Sequence, residues 1–99
     1  MKIIFETNKV CIYDDKIVIK RRKSVILKKE DIKEIFYAKW NIKNYLSLPR
    51  SMTPGMVYIM LSNPSFFIKW YCFRMKYEDA KKILNKIPEK LCSRIIIEE

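Results

Sequence analysis

The sequence predicts an α+β domain, and three features of its hydrophobic pattern support this. Apolar and polar side chains alternate through much of the first half of the chain, as in β-strands. Two segments rich in β-branched and aromatic residues follow at 56–62 and 65–73, separated by a turn-forming Asn-Pro pair. One helical pattern then covers about 76–87. Ninety-nine residues can close one hydrophobic core, so we expect a single domain over 1–99.

The first predicted element is a β-hairpin. Two apolar alternations flank the acidic pair at 14–15, whose short side chains tolerate turn geometry. On the second strand Ile17 and Ile19 share one face, which we expect to be buried. A further turn at 22–24 returns the chain through a third strand within 24–29, with Val25 and Leu27 as its inward pair.

The stretch from Lys16 to Lys29 holds seven basic residues and no acid. With a net charge of +10, it is a candidate surface for a polyanion. Alternatively, the basic charge reflects codon bias and not function. The chain has 16 lysines, five arginines and one glycine, which is the bias that an AT-rich genome imposes. The candidate anion or lipid contacts are Lys16, Lys20, Arg21, Arg22, Lys23 and Lys28.

The middle of the chain predicts a bend, a strand and a loop. Ile32 and Ile35 follow two acids at a spacing that suits a single turn or a bent entry into a strand. A further strand is predicted through 42–48. The segment 49–55 is loop-like and ends at Gly55, the only glycine.

The segment 65–73 is aromatic on both faces of its predicted strand. One face belongs to the core, and the other would be an exposed apolar patch of the kind that marks an interface. Cys72 is expected to be a small core residue. The candidate interface consists of Phe67, Lys69, Tyr71 and Phe73. The opposite face of the strand consists of Phe66, Ile68, Trp70 and Cys72.

The helix predicted at 76–87 is amphipathic. Glu78 and Asp79 lie in its first turn, where the helix dipole favours acids, and Pro88 ends it. The tail 88–99 fits either a short edge strand or another helical turn.

The phrase "IYDDKIVIKRRKSVILKKEDIKEI" resembles the bacterial pleckstrin-homology-like (PH-like) domains in its strand, acidic turn, strand, basic turn and strand leading into Asp31, Ile32 and Ile35. The resemblance covers roughly Val10 to Ile87. It implies a half-open barrel of about six or seven antiparallel strands with one C-terminal amphipathic helix, and a binding or scaffold role. PH domains that hold phosphoinositides have their basic residues at the first turn. In this sequence the basic residues lie at the second turn instead.

Several kinds of chemistry are disfavoured. The chain has no histidine, which is the commonest general base and metal ligand, and one glycine cannot build a phosphate-binding loop. Three distant cysteines fit reduced thiols better than a disulfide framework or a zinc site. We therefore expect no enzyme activity, no cofactor and no metal.

Three binding functions stay open. The first is peripheral contact with an anionic membrane, since no acid occurs between Ile35 and Tyr77 while six basic residues do; an exposed Trp40 or Trp70 would strengthen it. The second is a protein interface or homo-oligomer, and the third, less favoured, is nucleic-acid binding. No signal peptide or membrane span is evident, so we expect a cytoplasmic protein, peripheral to the membrane if the first hypothesis holds.

Overall fold

The computed structural model describes residues 2–64 and 68–97, which form two four-stranded sheets and two α-helices. The predicted α+β class is confirmed. In chain order the elements are β1 (Ile3–Glu6), β2 (Val10–Tyr13), β3 (Lys16–Ile19), β4 (Val25–Lys28), a 3₁₀ turn (Lys29–Asp31), β5 (Ile32–Ala38), α1 (Ile42–Ser47), β6 (Met56–Leu61), β7 (Trp70–Arg74), α2 (Tyr77–Lys86) and β8 (Ser93–Ile97).

The first sheet is an antiparallel meander in the order β1-β2-β3-β4. The predicted hairpin is confirmed, because β2 and β3 pair around the acidic turn at 14–15 and Ile12 lies opposite Ile17. Ile17 and Ile19 are buried, as their shared face predicts, and Leu27 on β4 is buried beside them. The alternation of apolar side chains therefore sets the register of this sheet.

The second sheet has the order β7-β6-β5-β8 and is mixed. Its first three strands are antiparallel, whereas β8 runs parallel to β5. Residues 93–97 of the tail thus form an edge strand, and the expectation of antiparallel pairing throughout is wrong at β8. The physical reason is the crossover: α2 carries the chain from β7, at one edge, to the opposite edge of the same sheet.

The core lies between the two sheets and α2. Phe5 of the first sheet stacks on Phe73 of the second, with ring centroids 6.1 Å apart. The helix α2, confirmed close to its predicted bounds, buries Ala80, Ile83 and Leu84 against this core. Within the described residues each sheet keeps its own edge strands, so the two sheets do not close into a barrel.

The predicted single turn or bent entry before β5 is confirmed, whereas the strand predicted at 42–48 is not. A single 3₁₀ turn precedes β5, and Ile32 and Ile35 are buried. The segment predicted as a strand at 42–48 is the helix α1. The loop that follows α1 ends at Gly55, which has a φ of 84° and so takes a left-handed conformation that side chains disfavour.

Candidate functional site

The basic residues of the β3–β4 hairpin do not form one cluster. Lys16 lies directly opposite Lys28 at the end of the hairpin away from its tip, and its ammonium group is 5.2 Å from the centre of the Tyr13 ring. Four residues of strand, about 13 Å, separate Lys16 from Lys20. Lys20 Nζ in turn lies 2.6 Å from a carboxylate oxygen of Glu6. This ion pair offsets part of the positive charge at the tip.

The tip of the hairpin packs toward β7. The Arg21 guanidinium lies over the Tyr71 ring, 4.8 Å from its centre. Arg22 and Lys23 are exposed in the connection between β3 and β4. Among the basic residues at the tip, these two side chains are the most available to a ligand, since Lys20 pairs with Glu6 and Arg21 lies over an aromatic ring.

The predicted aromatic interface is largely core. Tyr71 and Phe73 are buried, while Lys69 is exposed and Phe67 lies outside the described residues. The same strand places the Cys72 thiol on the exposed face, so the prediction of a core cysteine is wrong there. Strand alternation is the reason, because neighbours of two buried rings must point the other way. Two of the three aromatic residues of the predicted interface are therefore part of the core.

The helix α1 is held in place by asparagines. The Asn41 side-chain oxygen accepts a hydrogen bond from the backbone N–H of Asn44 at 2.7 Å and so caps the helix. The Asn44 side-chain amide donates to the Lys39 carbonyl at 2.6 Å. Asn44 is only 4% exposed and is the one buried residue of the helix.

The apolar side chains of α1 point away from the protein. Ile42 is 76% exposed and Leu46 75%, and they lie four residues apart, on one side of the helix. Tyr45 adds to this side and contacts the exposed Trp40, with ring centroids 5.5 Å apart. We call Trp40, Ile42, Tyr45 and Leu46 the α1 apolar face. A helix that buries its asparagine and exposes its isoleucine and leucine is inverted relative to an ordinary surface helix.

Sequence reasoning missed this face because it placed 42–48 in a strand. Two signals in the chain predict the helix instead: an Asn at position 41, a favoured N-cap residue, and apolar residues at 42, 45 and 46, which is helical spacing.

Positive charge surrounds the α1 apolar face. Lys39, Lys43 and Arg50 are all exposed in or beside the helix, and the chain has no acid from Ile35 to Tyr77. Within residues 2–64 and 68–97 none of these three side chains forms an ion pair with a carboxylate. Their charges are therefore available to an anion near the apolar face.

A cavity of about 600 Å³ opens beside Trp40, between the ends of β5 and β7 and the start of α2. Three basic side chains line it, Lys39, Arg74 and Lys76, and no acidic side chain does. We call it the cationic pocket. Its remaining lining residues are Tyr37, Trp40, Thr53, Pro54, Gly55, Met56, Met75 and Tyr77.

The thiols of Cys72 and Cys92 are poor nucleophiles. Burial raises the pKa of Cys92 to about 11, against a smaller lowering by the nearby Arg94 charge. Burial also raises the pKa of the Cys72 thiol, partly offset by Lys9. Both groups are therefore protonated near neutral pH. Across the described ranges, no group of three or more Cys, Asp or Glu side chains is arranged to hold a metal ion.

No protein-family model, curated protein or solved structure matches this chain. None of the helices formed by residues 2–64 and 68–97 has both the length and the apolar composition needed to cross a bilayer.

Proposed function

We propose that this domain is a non-catalytic, PH-like binding module that docks peripherally on anionic membrane surfaces through the α1 apolar face. The observation that carries the proposal is the inverted helix, which buries Asn44 and presents Ile42 and Leu46 to the outside. Exposing these side chains to water has a cost that an apolar environment would remove. A short helix with aliphatic and aromatic groups on one side and lysines around it suits the boundary between headgroups and acyl chains.

The apolar contribution is large enough to matter. Full burial of an Ile or Leu side chain contributes roughly 1.5–3 kcal/mol. Since Ile42 and Leu46 are about three-quarters exposed, their transfer to acyl chains would contribute about 3 kcal/mol together. Trp40 and Tyr45 would lie at the boundary between headgroups and acyl chains, in the membrane–water interface where amphipathic rings are enriched.

The charge argues for lipid over a neutral apolar partner. Each Lys or Arg near an anionic bilayer contributes about 1 kcal/mol. Lys39, Lys43 and Arg50 would therefore add about as much as the two aliphatic side chains. A protein groove that accepted this face would need acids to match those charges, so a protein partner is the second candidate.

The hairpin takes a supporting role in this proposal. Arg22 and Lys23 are exposed but have no large apolar neighbours in their connection, so they would attract anionic lipid without inserting. They would raise the rate of encounter and the sensitivity to salt.

Co-sedimentation with vesicles tests the proposal. We expect the protein to bind vesicles containing anionic phosphatidylglycerol at physiological salt and to bind neutral phosphatidylcholine vesicles weakly. The variant Ile42→Ser/Leu46→Ser should lose on the order of 100-fold in affinity, from the ~3 kcal/mol above. A matched control is Ile3→Ser/Ile26→Ser, which removes two isoleucines that are exposed on the first sheet and should leave binding unchanged.

Three results would contradict the proposal. One is the absence of binding to either vesicle by the unaltered protein. Another is equal loss in both double variants, which would mean that any exposed isoleucine matters equally. If Arg22→Ser/Lys23→Ser abolished binding while the α1 variant kept it, the contact would be the hairpin tip and not α1.

A further inference from the structure

The cationic pocket gathers three basic side chains from three different elements. Lys39 follows the last residue of β5, Arg74 ends β7, and Lys76 caps the start of α2. All three are exposed, and none forms an ion pair with an acid in the described part of the chain. Glu78 and Asp79 follow in the first turn of α2 but do not line the cavity. Like charges that converge without an acid are unfavourable unless an anion joins them.

The backbone around the pocket is fixed by its own hydrogen bonds. The Gly55 N–H donates to the Ala38 carbonyl at 2.8 Å, and the Met75 N–H donates to the Gly55 carbonyl at 3.2 Å. The buried Tyr37 hydroxyl donates to the Met75 carbonyl at 2.8 Å. These bonds tie β5, β6 and the end of β7 together. The backbone positions that carry the three basic side chains are thus connected by hydrogen bonds, and all three side chains line the cavity.

One side chain of the pocket is already partly engaged. Lys39 Nζ lies 4.7 Å from the centre of the Tyr77 ring, a cation–π distance. This contact directs the lysine toward the start of α2, where Lys76 lies. No such aromatic contact involves Arg74 or Lys76 within residues 2–64 and 68–97. Arg74 also offers the planar fork of donors that binds phosphate oxygens in pairs.

Trp40 joins the pocket to the α1 apolar face. Its side chain lines the cavity and also contacts Tyr45 of α1. If α1 lies at the boundary of a bilayer, the mouth of the pocket lies at headgroup level, beside the inserted side chains. A lipid phosphate could then enter the pocket while its acyl chains stay in the membrane.

We infer that the cationic pocket binds the phosphomonoester headgroup of an anionic lipid. This inference rests on the proposed membrane contact and adds a lipid specificity to it. A phosphomonoester carries about −1.5 to −2 charges near pH 7 and three strongly accepting oxygens, which suits three converging cations. A phosphodiester headgroup carries a single charge and would leave part of the positive charge unpaired. The cavity volume of about 600 Å³ lies within the range of small-ligand sites.

The test compares two vesicles of equal surface charge, one containing phosphatidic acid and the other phosphatidylglycerol. The unaltered protein should bind the phosphatidic acid vesicles roughly tenfold more tightly, because the monoester offers the three cations more charge and more accepting oxygens than the diester does. Arg74→Ser/Lys76→Ser should abolish this preference, and its binding to phosphatidylglycerol should persist but weaken by up to about 30-fold, because two basic side chains near the bilayer are lost. The control Lys86→Ser/Lys90→Ser removes the same charge near the other end of α2, about 15 Å away, and should keep the preference.

The outcomes separate this inference from the proposed function. Binding to both vesicles with equal affinity, unchanged in the Arg74/Lys76 variant, would overturn the headgroup site and leave the membrane contact standing. No binding to either vesicle would overturn both. Two soluble competitors, inorganic phosphate and a short single-stranded oligonucleotide, complete the test. Displacement at micromolar concentrations of either would overturn the lipid assignment in favour of free phosphate or nucleic acid, whereas the absence of displacement supports it.

Discussion

The substitution Asn44→Ala should loosen α1 without unfolding the domain. The helix has six residues and buries no apolar side chain of its own, and isolated helices this short are unstable in water. Its stability must therefore come from the Asn41 cap and from the Asn44 amide, which donates to the Lys39 carbonyl at 2.6 Å. A buried hydrogen bond of this kind contributes about 1–1.5 kcal/mol, so its loss should raise the open population of α1 roughly tenfold.

Native-state hydrogen exchange measures this opening directly. The amides of Tyr45 and Leu48 donate to the Asn41 and Asn44 carbonyls, so both should exchange about tenfold faster in Asn44→Ala. Amides of the core strands should keep their protection. The control Ser47→Ala removes an exposed hydroxyl that donates to the Lys43 carbonyl and should change exchange much less. Unchanged exchange at Tyr45 and Leu48, or an equal loss of protection throughout the core, would refute this account of α1.

Two further predictions concern stability. The pKa of Cys92 is raised in the folded state, so the protonated thiol contributes stability that is present below pH 9 and is lost as pH rises toward about 11. Urea unfolding at a series of pH values should show a smaller decline in the free energy of unfolding for Cys92→Ala than for the unaltered protein. The same decline in both proteins would contradict this prediction. Gly55→Ala should lower the free energy of unfolding by about 1–2 kcal/mol because alanine disfavours the positive φ at this position. The added Cβ would lie 3.9 Å from the Trp40 Cβ, which is an ordinary contact and adds no clash. An unchanged thermal midpoint would contradict this prediction.

Local patterns predicted the elements that local interactions determine. The hairpin around the acidic pair at 14–15 and the burial of Ile17 follow from turn chemistry and strand alternation. The helix α2 follows from its helical spacing, the acids in its first turn and Pro88. In each case the residues that predict the element lie within the same dozen residues of the chain as the element itself.

The parallel pairing of β8 with β5 could not be predicted in this way. Those strands are more than fifty residues apart in the chain, and the sequence Ser93–Ile97 fits an edge strand in either direction. The direction is set by how α2 crosses the sheet, which is a tertiary property. After α2, Arg94 also donates to the Ile87 carbonyl at 2.7 Å, a contact that no local pattern indicates.

The sequence predicted that the candidate site is positively charged, but it did not predict where on the fold the site lies. Net charge and the run of basic residues indicated an anionic partner but could not show that Lys20 pairs with Glu6 or that Lys16 and Lys28 lie away from the tip. The cationic pocket depends on Arg74, at the end of β7, and Lys39, just after β5, lining the same cavity, and no local sequence pattern specifies this arrangement.

The most direct test of the membrane contact is the fluorescence of Trp40. In the variant Trp70→Phe it is the only tryptophan, and vesicles of anionic lipid with brominated acyl chains quench a ring that reaches the acyl boundary. We predict a blue shift and strong quenching on binding, whereas Trp40→Phe, which keeps the half-buried Trp70, should show neither. Unshifted and unquenched Trp40 emission in protein that sediments with the vesicles would contradict docking through α1.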